Sequence, residues 1–141
     1  MKKLFQIFLM IVVLVGANVP ASIAADSASG VTVSAYYFHG NFRCPTCRKL
    51  EQYSKEAIEN GFKDALVSGK IQFQSINTDE KANQHFLNDY QLYTKSLVLS
   101  LAKDGKEIKY KNLTKIWELV RNKQQFYDYV NSEVTDFLKE A

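Results

Sequence analysis

The chain has 141 residues, of which 46% are apolar and 23% are charged, as expected for one globular domain. This composition excludes a collagen, a low-complexity disordered protein and a protein with several membrane spans. The formal net charge is +3, but Lys2 and Lys3 lie in a segment that we expect to be removed. The mature chain would then be nearly neutral, without the basic surface that nucleic-acid binding requires.

The first 24 residues have the layout of a secretory signal peptide. Met1-Lys2-Lys3 is a short positive region, and the segment 4–15 that follows is apolar except for Gln6. Ser22 and Ala24 are small residues at the positions that a signal peptidase reads. As a helix, this apolar segment would be ~18 Å long, too short for the ~30 Å hydrocarbon core of a bilayer. An uncleaved membrane anchor is the alternative interpretation.

The mature protein is expected to be exported, either to the periplasm or to the medium. Residues 25–30 are predicted to be a flexible lead-in, and residues 31–141 a single domain. No cysteine lies near the predicted cleavage site, so a lipid anchor has no attachment point there. After cleavage, no attachment to a membrane is expected.

The mature sequence alternates between strand and helix patterns in the order β-α-β-α-β-β-α. Strands are predicted at 31–39, 71–76, 96–102 and 107–111, and helices at 45–60, 80–90 and 123–139. Shorter helical pieces are predicted at 62–68 and around Trp117, and Asn122 is predicted to cap the last helix. A parallel pair joined by a crossover helix and followed by a hairpin predicts a mixed four-stranded sheet with helices on both faces.

Two of the predicted helices carry apolar residues at helical spacing, which identifies their buried faces. The first helix is predicted to bury Cys47, Leu50, Ser54, Ala57 and Ile58. The last helix is predicted to bury Phe126, Val130, Val134 and Phe137.

The chemistry of the sequence is concentrated in the motif Cys44-Pro45-Thr46-Cys47, which contains both cysteines of the chain. The motif lies where a predicted strand leads into a helix, and proline favours the first helical turn. Cys44 would therefore lie at the exposed helix N-terminus and Cys47 deeper. The helix dipole and the nearby cations of Arg43, Arg48 and Lys49 all favour a thiolate at Cys44. These features predict Cys44 as the attacking thiolate and Cys47 as the resolving thiol.

Two other interpretations of the cysteine pair remain open. In a non-catalytic scaffold the pair would be a structural disulfide, although a four-residue loop contributes only ~2 kcal/mol by chain entropy. In a soft metal or metalloid binder, Cys44 and Cys47 would be ligands together with His39. A resident metal is not expected, because zinc usually takes four protein ligands in a structural site.

The order of elements, with C-x-x-C at the start of the first helix, resembles the thioredoxin fold from about residue 31 to the C-terminus. More narrowly, Tyr36-Tyr37-Phe38-His39-Gly40 and Arg43-Cys44-Pro45-Thr46-Cys47 resemble the exported nitrophenyl compound nitroreductase subunit ArsF family. The resemblance implies a redox-active dithiol, a protein redox partner and no tightly held organic cofactor. A thiol–disulfide oxidoreductase or electron-transfer module is therefore expected.

The sequence departs from typical thioredoxins around the motif. Ser96, or its neighbour Lys95, stands where thioredoxins carry a cis-proline. Tyr37 stands near the position of their buried acid, and residues 39–43 replace their tryptophan-rich lead. A carrier with a dedicated partner is therefore favoured over a general reductase. The residues expected to tune the site are His39, Arg43, Pro45, Thr46, Arg48 and Ser96.

The signal-peptide layout makes a direct prediction about the mature protein. The mature N-terminus should be Ala25 or the residue after it, because Ser22 and Ala24 suit the peptidase pockets. Mass spectrometry of the protein recovered from its producing cell measures this terminus. A chain that retains residues 1–24 would contradict the predicted export.

Overall fold

The computed structural model describes residues 30–141, so the predicted signal peptide and most of the lead-in lie outside the described residues. The predicted mixed sheet of four strands is confirmed, with the spatial order β2-β1-β3-β4. β1 pairs in parallel with β2 and antiparallel with β3, and β3 pairs antiparallel with β4. The strands are β1 Val31–His39, β2 Ile71–Asn77, β3 Ser96–Lys103 and β4 Lys106–Asn112. The helices are α1 Pro45–Gly61, α2 Lys63–Val67, α3 His85–Asp89, α4 Ile116–Leu119 and α5 Lys123–Lys139.

The main core lies between one face of the sheet and the helices α1 and α5. Alternate residues of β1 and β3 point into it, because successive side chains of a strand lie on opposite faces. The predicted buried faces of both helices are confirmed residue by residue. The predicted cap of α5 is also confirmed, since the Asn122 side chain accepts a hydrogen bond from the Gln125 backbone N–H.

A smaller aromatic core lies on the opposite face of the sheet. Phe38 of β1 and Val98 of β3 pack there against Tyr90 and Leu92, with Phe86 at the margin. Because α3 is short, this second core covers only the part of this sheet face that lies nearest the end of β1. The rest of the face carries polar residues. These two cores confirm the prediction of helices on both faces.

The predicted helix over residues 80–90 is wrong in its first half. A 3-10 turn occupies Lys81–Asn83, and α3 covers only His85–Asp89. The Asn83 side chain donates to the Asn77 carbonyl, 3.0 Å away. Asparagine side chains that bond to nearby backbone compete with helix formation, and this segment is rich in such residues.

The hairpin predicted from Lys103-Asp104-Gly105-Lys106 is confirmed between β3 and β4. Asp104 and Gly105 have φ values of 51° and 77°, as a two-residue turn of this kind requires. Among residues 30–141, none of the helices has both the length and the apolar character needed to cross a membrane.

Candidate functional site

The two cysteines form a disulfide at the start of α1, with their Cα atoms 5.0 Å apart. Cys44 is the residue that caps α1, and Pro45 occupies the first turn. Cys44 is partly exposed, whereas Cys47 is only 3% exposed and packs below it. The structure thus places the outer sulfur at the surface and the inner sulfur in the core, as the sequence predicted.

The backbone at the start of α1 already favours negative charge on the outer sulfur. The Cys47 N–H donates a hydrogen bond to Cys44 Sγ over 3.1 Å. Unpaired N–H groups and the positive end of the helix dipole meet at this position, so a thiolate formed there is stabilised. The first turn of α1 therefore stabilises negative charge on Cys44 Sγ, as a nearby cation would.

Tyr37 attaches the first turn of α1 to the centre of the sheet. Its hydroxyl donates a hydrogen bond to the Cys47 carbonyl over 2.7 Å, and its side chain is fully buried. Burial raises the pKa of Tyr37 to about 12, and the charge of Arg43 opposes that shift. At neutral pH the hydroxyl is therefore protonated and acts as a hydrogen-bond donor.

Arg43 is part of a hydrogen-bonded network rather than a free cation beside the sulfur. It forms an ion pair with Glu51 of α1, and its Nη1 donates to His39 Nε2 over 3.2 Å. Glu51 also accepts a hydrogen bond from the Ser75 hydroxyl on β2, 2.5 Å away. The charge of Arg43 is thus compensated, and the exposed side chains of Arg48 and Lys49 supply the uncompensated positive charge near α1.

Both ring nitrogens of His39 are engaged. Nδ1 lies 3.0 Å from the Gly40 carbonyl and donates to it, while Nε2 accepts from Arg43. This pattern corresponds to the neutral ring with its proton on Nδ1. Within residues 30–141, no group of three or more His, Cys, Asp or Glu side chains is arranged to hold a metal ion. The structure places His39 at the end of β1, as a partner of Arg43.

The loop between β1 and α1 is fixed to the turn that follows β2. The Asn41 N–H donates to Asp79 over 2.7 Å, and the Asn77 side chain donates to the Asn41 side chain over 2.8 Å. A Cβ at position 40 would lie 2.8 Å from Asp79 Oδ2, so a larger residue than Gly40 would displace the Asp79 carboxylate. These contacts hold the loop in place just before the first cysteine.

Ser96 begins β3 opposite Phe38, at the same end of the sheet as the disulfide. It is buried, and its hydroxyl donates to the Thr94 carbonyl over 3.0 Å. The preceding carbonyl, that of Lys95, accepts a hydrogen bond from the Trp117 indole N–H over 2.9 Å. Trp117 of α4 therefore holds the segment that leads into β3.

Two exposed aromatic residues, Phe42 and Tyr93, line the same hollow beside the loop that precedes Cys44. Phe42 is 76% exposed and Tyr93 is 94% exposed. Together with Leu87 they line a hollow of about 200 Å³ that also contains Phe38 and Lys95. We call Phe42, Leu87 and Tyr93 the aromatic rim. No sequence pattern reveals it, because these residues come from three separate loops or short elements.

A second hollow, next to Thr46 of the motif, is lined in part by cations. Its lining comprises Thr46, Lys49, Trp117, Val120 and Arg121. Thr46 lies between the two cysteines in sequence, so this basic hollow lies beside the motif. The surroundings of the motif therefore include both exposed apolar side chains and cations.

Solved structures of thioredoxins are similar to this chain. Fasciola hepatica thioredoxin is 22% identical, with a TM-score of 0.38 over 64% of this chain and 79% of that one. Oxidised thioredoxin O2 from Arabidopsis thaliana is 18% identical, with a TM-score of 0.41 over 68% of this chain and 76% of that one. Trxlp from Edwardsiella tarda EIB202 is 18% identical, with a TM-score of 0.40 over 67% and 84%.

No family model matches the chain, and no curated protein matches it. The thioredoxin-like fold is therefore assigned from the strand order and from the position of the cysteine pair at the start of α1.

The buried Tyr37 hydroxyl predicts a specific dependence of stability on pH. Between pH 10 and about 12 the unfolded phenol loses its proton while the folded one keeps it. The unfolded state then binds fewer protons, so the free energy of unfolding falls across this window. Tyr37→Phe should remove the part of this decrease that Tyr37 causes. Below pH 10, the substitution should lower the free energy of unfolding by about 0.5–1.5 kcal/mol, because the hydrogen bond to Cys47 is lost.

Urea denaturation of the oxidised protein at several pH values between 7 and 12 measures both effects. Tyr93→Phe is the matched control, since it removes a hydroxyl from a side chain that is 94% exposed. If the curves for Tyr37→Phe and the wild type remain parallel up to pH 12, Tyr37 does not titrate as described.

Proposed function

We propose that the protein is an exported thiol–disulfide oxidoreductase or electron-transfer module that serves a dedicated protein partner. The observation that carries this proposal is the partly exposed Cys44 Sγ, which accepts the Cys47 N–H at the N-terminus of α1. A disulfide that only joined two elements would not need its outer sulfur at a surface that stabilises a thiolate. The buried partner sulfur of Cys47 provides the second half of a two-electron couple.

The reaction would proceed by two thiolate attacks. In the reduced protein, Cys44 Sγ attacks one sulfur of the partner's disulfide, and the other partner sulfur leaves as a thiolate. Cys47 then loses its proton to solvent, attacks Cys44 Sγ and releases the second partner sulfur. The partner gains two electrons and the Cys44–Cys47 disulfide forms; the same steps in reverse oxidise the partner.

The surface around the disulfide supports a dedicated partner. The aromatic rim offers exposed apolar side chains near the motif, and the basic hollow offers Lys49 and Arg121. Exposed aromatic residues at the edge of a functional site are typical of protein contacts. We infer that the partner presents, near its disulfide, an apolar segment and acidic residues that pair with Lys49 and Arg121.

Export and the narrower family assignment belong to the same proposal. The layout of residues 1–24 supports export, and the stretches 36–40 and 43–47 support the resemblance to the ArsF family. An extracytoplasmic location would suit a chain whose two cysteines form a disulfide. We take from the family resemblance an accessory redox role.

The reduction potential of the Cys44–Cys47 pair tests the proposed function. A working couple should have a potential above about −250 mV, whereas a structural disulfide should lie below about −300 mV. Equilibration with glutathione in metal-free buffer, followed by thiol alkylation and mass spectrometry, measures the potential. In the reduced protein Cys44 should alkylate first, because Cys47 is buried.

Two results would contradict the proposal. A potential in the structural range would favour a non-catalytic scaffold, and faster alkylation of Cys47 than of Cys44 would reverse the assigned roles. Cys44→Ser should abolish disulfide exchange, while Cys47→Ser should retain the first attack and accumulate the mixed disulfide.

The aromatic rim makes a prediction about partner selection. In a Cys47→Ser background, adding Phe42→Ala and Tyr93→Ala should lower the yield of the mixed disulfide with the protein partner about tenfold. The reason is that interface aromatics often contribute 1 kcal/mol or more each, as an order of magnitude. Reaction of the same variants with a small aliphatic disulfide should not change, because neither cysteine lines the hollow that the rim borders.

Ile108→Ala on β4 is the matched control, since Ile108 is an exposed apolar residue on a different edge of the sheet. Gel separation under non-reducing conditions measures the yield of mixed disulfide. An equal loss with the small disulfide would show that the rim supports cysteine reactivity rather than partner docking.

A further inference from the structure

The sheet has two edge strands, and only β4 carries the features that prevent pairing with another chain. β4 contains Lys106, Lys109 and Lys111, and the register of β3 with β4 is interrupted by a bulge at Leu101/Ala102. Two of these lysines pair with glutamates of the C-terminal region, Lys109 with Glu140 and Lys111 with Glu133. Lysines and bulges are the usual protection of an edge strand.

The other edge, β2, has none of these features. Its sequence, Ile-Gln-Phe-Gln-Ser-Ile-Asn over Ile71–Asn77, contains no charge and no proline. Gln72 and Gln74 are exposed, and Phe73 is half-buried. An uncharged edge of seven residues is a favourable template for a further strand.

The hydrogen bonds to β1 show which groups of β2 face outward. At one end, Val33 N–H donates to the Lys70 carbonyl over 2.8 Å; at the other, Thr78 N–H donates to the His39 carbonyl over 2.7 Å. In a parallel pair, alternate residues point toward the neighbour, so even-numbered residues of β2 face β1. The N–H and C=O groups of Ile71, Phe73 and Ser75 therefore point away from the sheet, without a partner among residues 30–141.

A hollow lies beside the outer edge of β2 on each face of the sheet. On the face of the main core, Leu66 and Phe73 line a hollow together with Glu59. On the opposite face, Ile76 and Phe86 line a second hollow. Because side chains of an added strand alternate between faces, each set would enter one of these hollows.

The charges beside β2 favour a second copy of this chain in the antiparallel direction. Lys70 precedes the strand, whereas Asp79, Glu80 and Lys81 follow it with a net charge of one negative unit. Antiparallel pairing of two copies brings each basic end against an acidic end, and parallel pairing would bring like ends together. Within the paired region, only uncharged side chains would face each other.

We propose that β2 is a self-association edge, through which two copies of the chain pair antiparallel into a continuous eight-stranded sheet. In the register that pairs the whole strand, Gln74 lies opposite Gln74 of the second copy, and Phe73 lies opposite Ser75 of the second copy. The proposal goes beyond the redox function and does not depend on it.

Such pairing would also affect the loop that precedes the disulfide. Ser75 of β2 donates to Glu51, and Glu51 forms the ion pair with Arg43 immediately before Cys44. Asn77 at the end of the strand donates to Asn41 in the same loop. A second copy at β2 would therefore stiffen the support of the cysteine loop, while the aromatic rim and the basic hollow stay outside the new contact.

Gln74 provides the test, because its side chain is exposed and lies on the two-fold axis of the proposed pair. The protein purified from cells expressing the full chain should be a concentration-dependent dimer by sedimentation equilibrium. Gln74→Lys and Gln74→Glu should each weaken the dimer at least about fivefold, since like charges directly opposite are destabilising. An equimolar mixture of the two variants should restore a heterodimer.

Ile108→Lys is the matched control, because it adds a lysine to an exposed position of the β4 edge and should leave the dimer unchanged. Amide hydrogen exchange adds a second readout: the Ile71, Phe73 and Ser75 amides should become protected as the concentration rises. A monomer at all concentrations would overturn the proposal. So would a dimer that Gln74→Lys does not weaken, and so would amides whose protection is independent of concentration.

Discussion

The arrangement of the site depends on one buried hydrogen bond, from the Tyr37 hydroxyl to the Cys47 carbonyl. Tyr37 belongs to the central strand and is held between β2 and β3, so it is among the most constrained residues of the fold. Through this bond the first turn of α1 is held in a fixed position relative to the sheet. The second cysteine is consequently buried, and the first is left at the surface where a thiolate is stabilised.

Features set by local periodicity could be predicted from the sequence, and features set by contacts between distant residues could not. The buried faces of α1 and α5 follow from 3.6-residue spacing, and Asn122 caps α5 as its position suggested. The prediction failed over 80–83, where the Asn83 side chain bonds to Asn77 at the end of another element. Pattern alone does not reveal such a competing bond.

The same distinction between local patterns and contacts of distant residues applies to the candidate site. The positions of Cys44 and Cys47 relative to the helix N-terminus could be derived, because capping rules are local. The pairing of Arg43 with Glu51 depends on how the loop turns back onto α1, and it changes which cations remain beside the sulfur. The aromatic rim depends on three segments that meet only in the folded chain, so no local pattern could indicate it.

Trp117 gives the molecule an optical property that its position determines. It is the only tryptophan in the sequence, so it is the only indole that absorbs or emits. Its ring borders the basic hollow beside Thr46, and its N–H is bonded to Lys95 at the start of β3. Tryptophan fluorescence of this protein is therefore a local signal from beside the cysteine motif, read without any attached label.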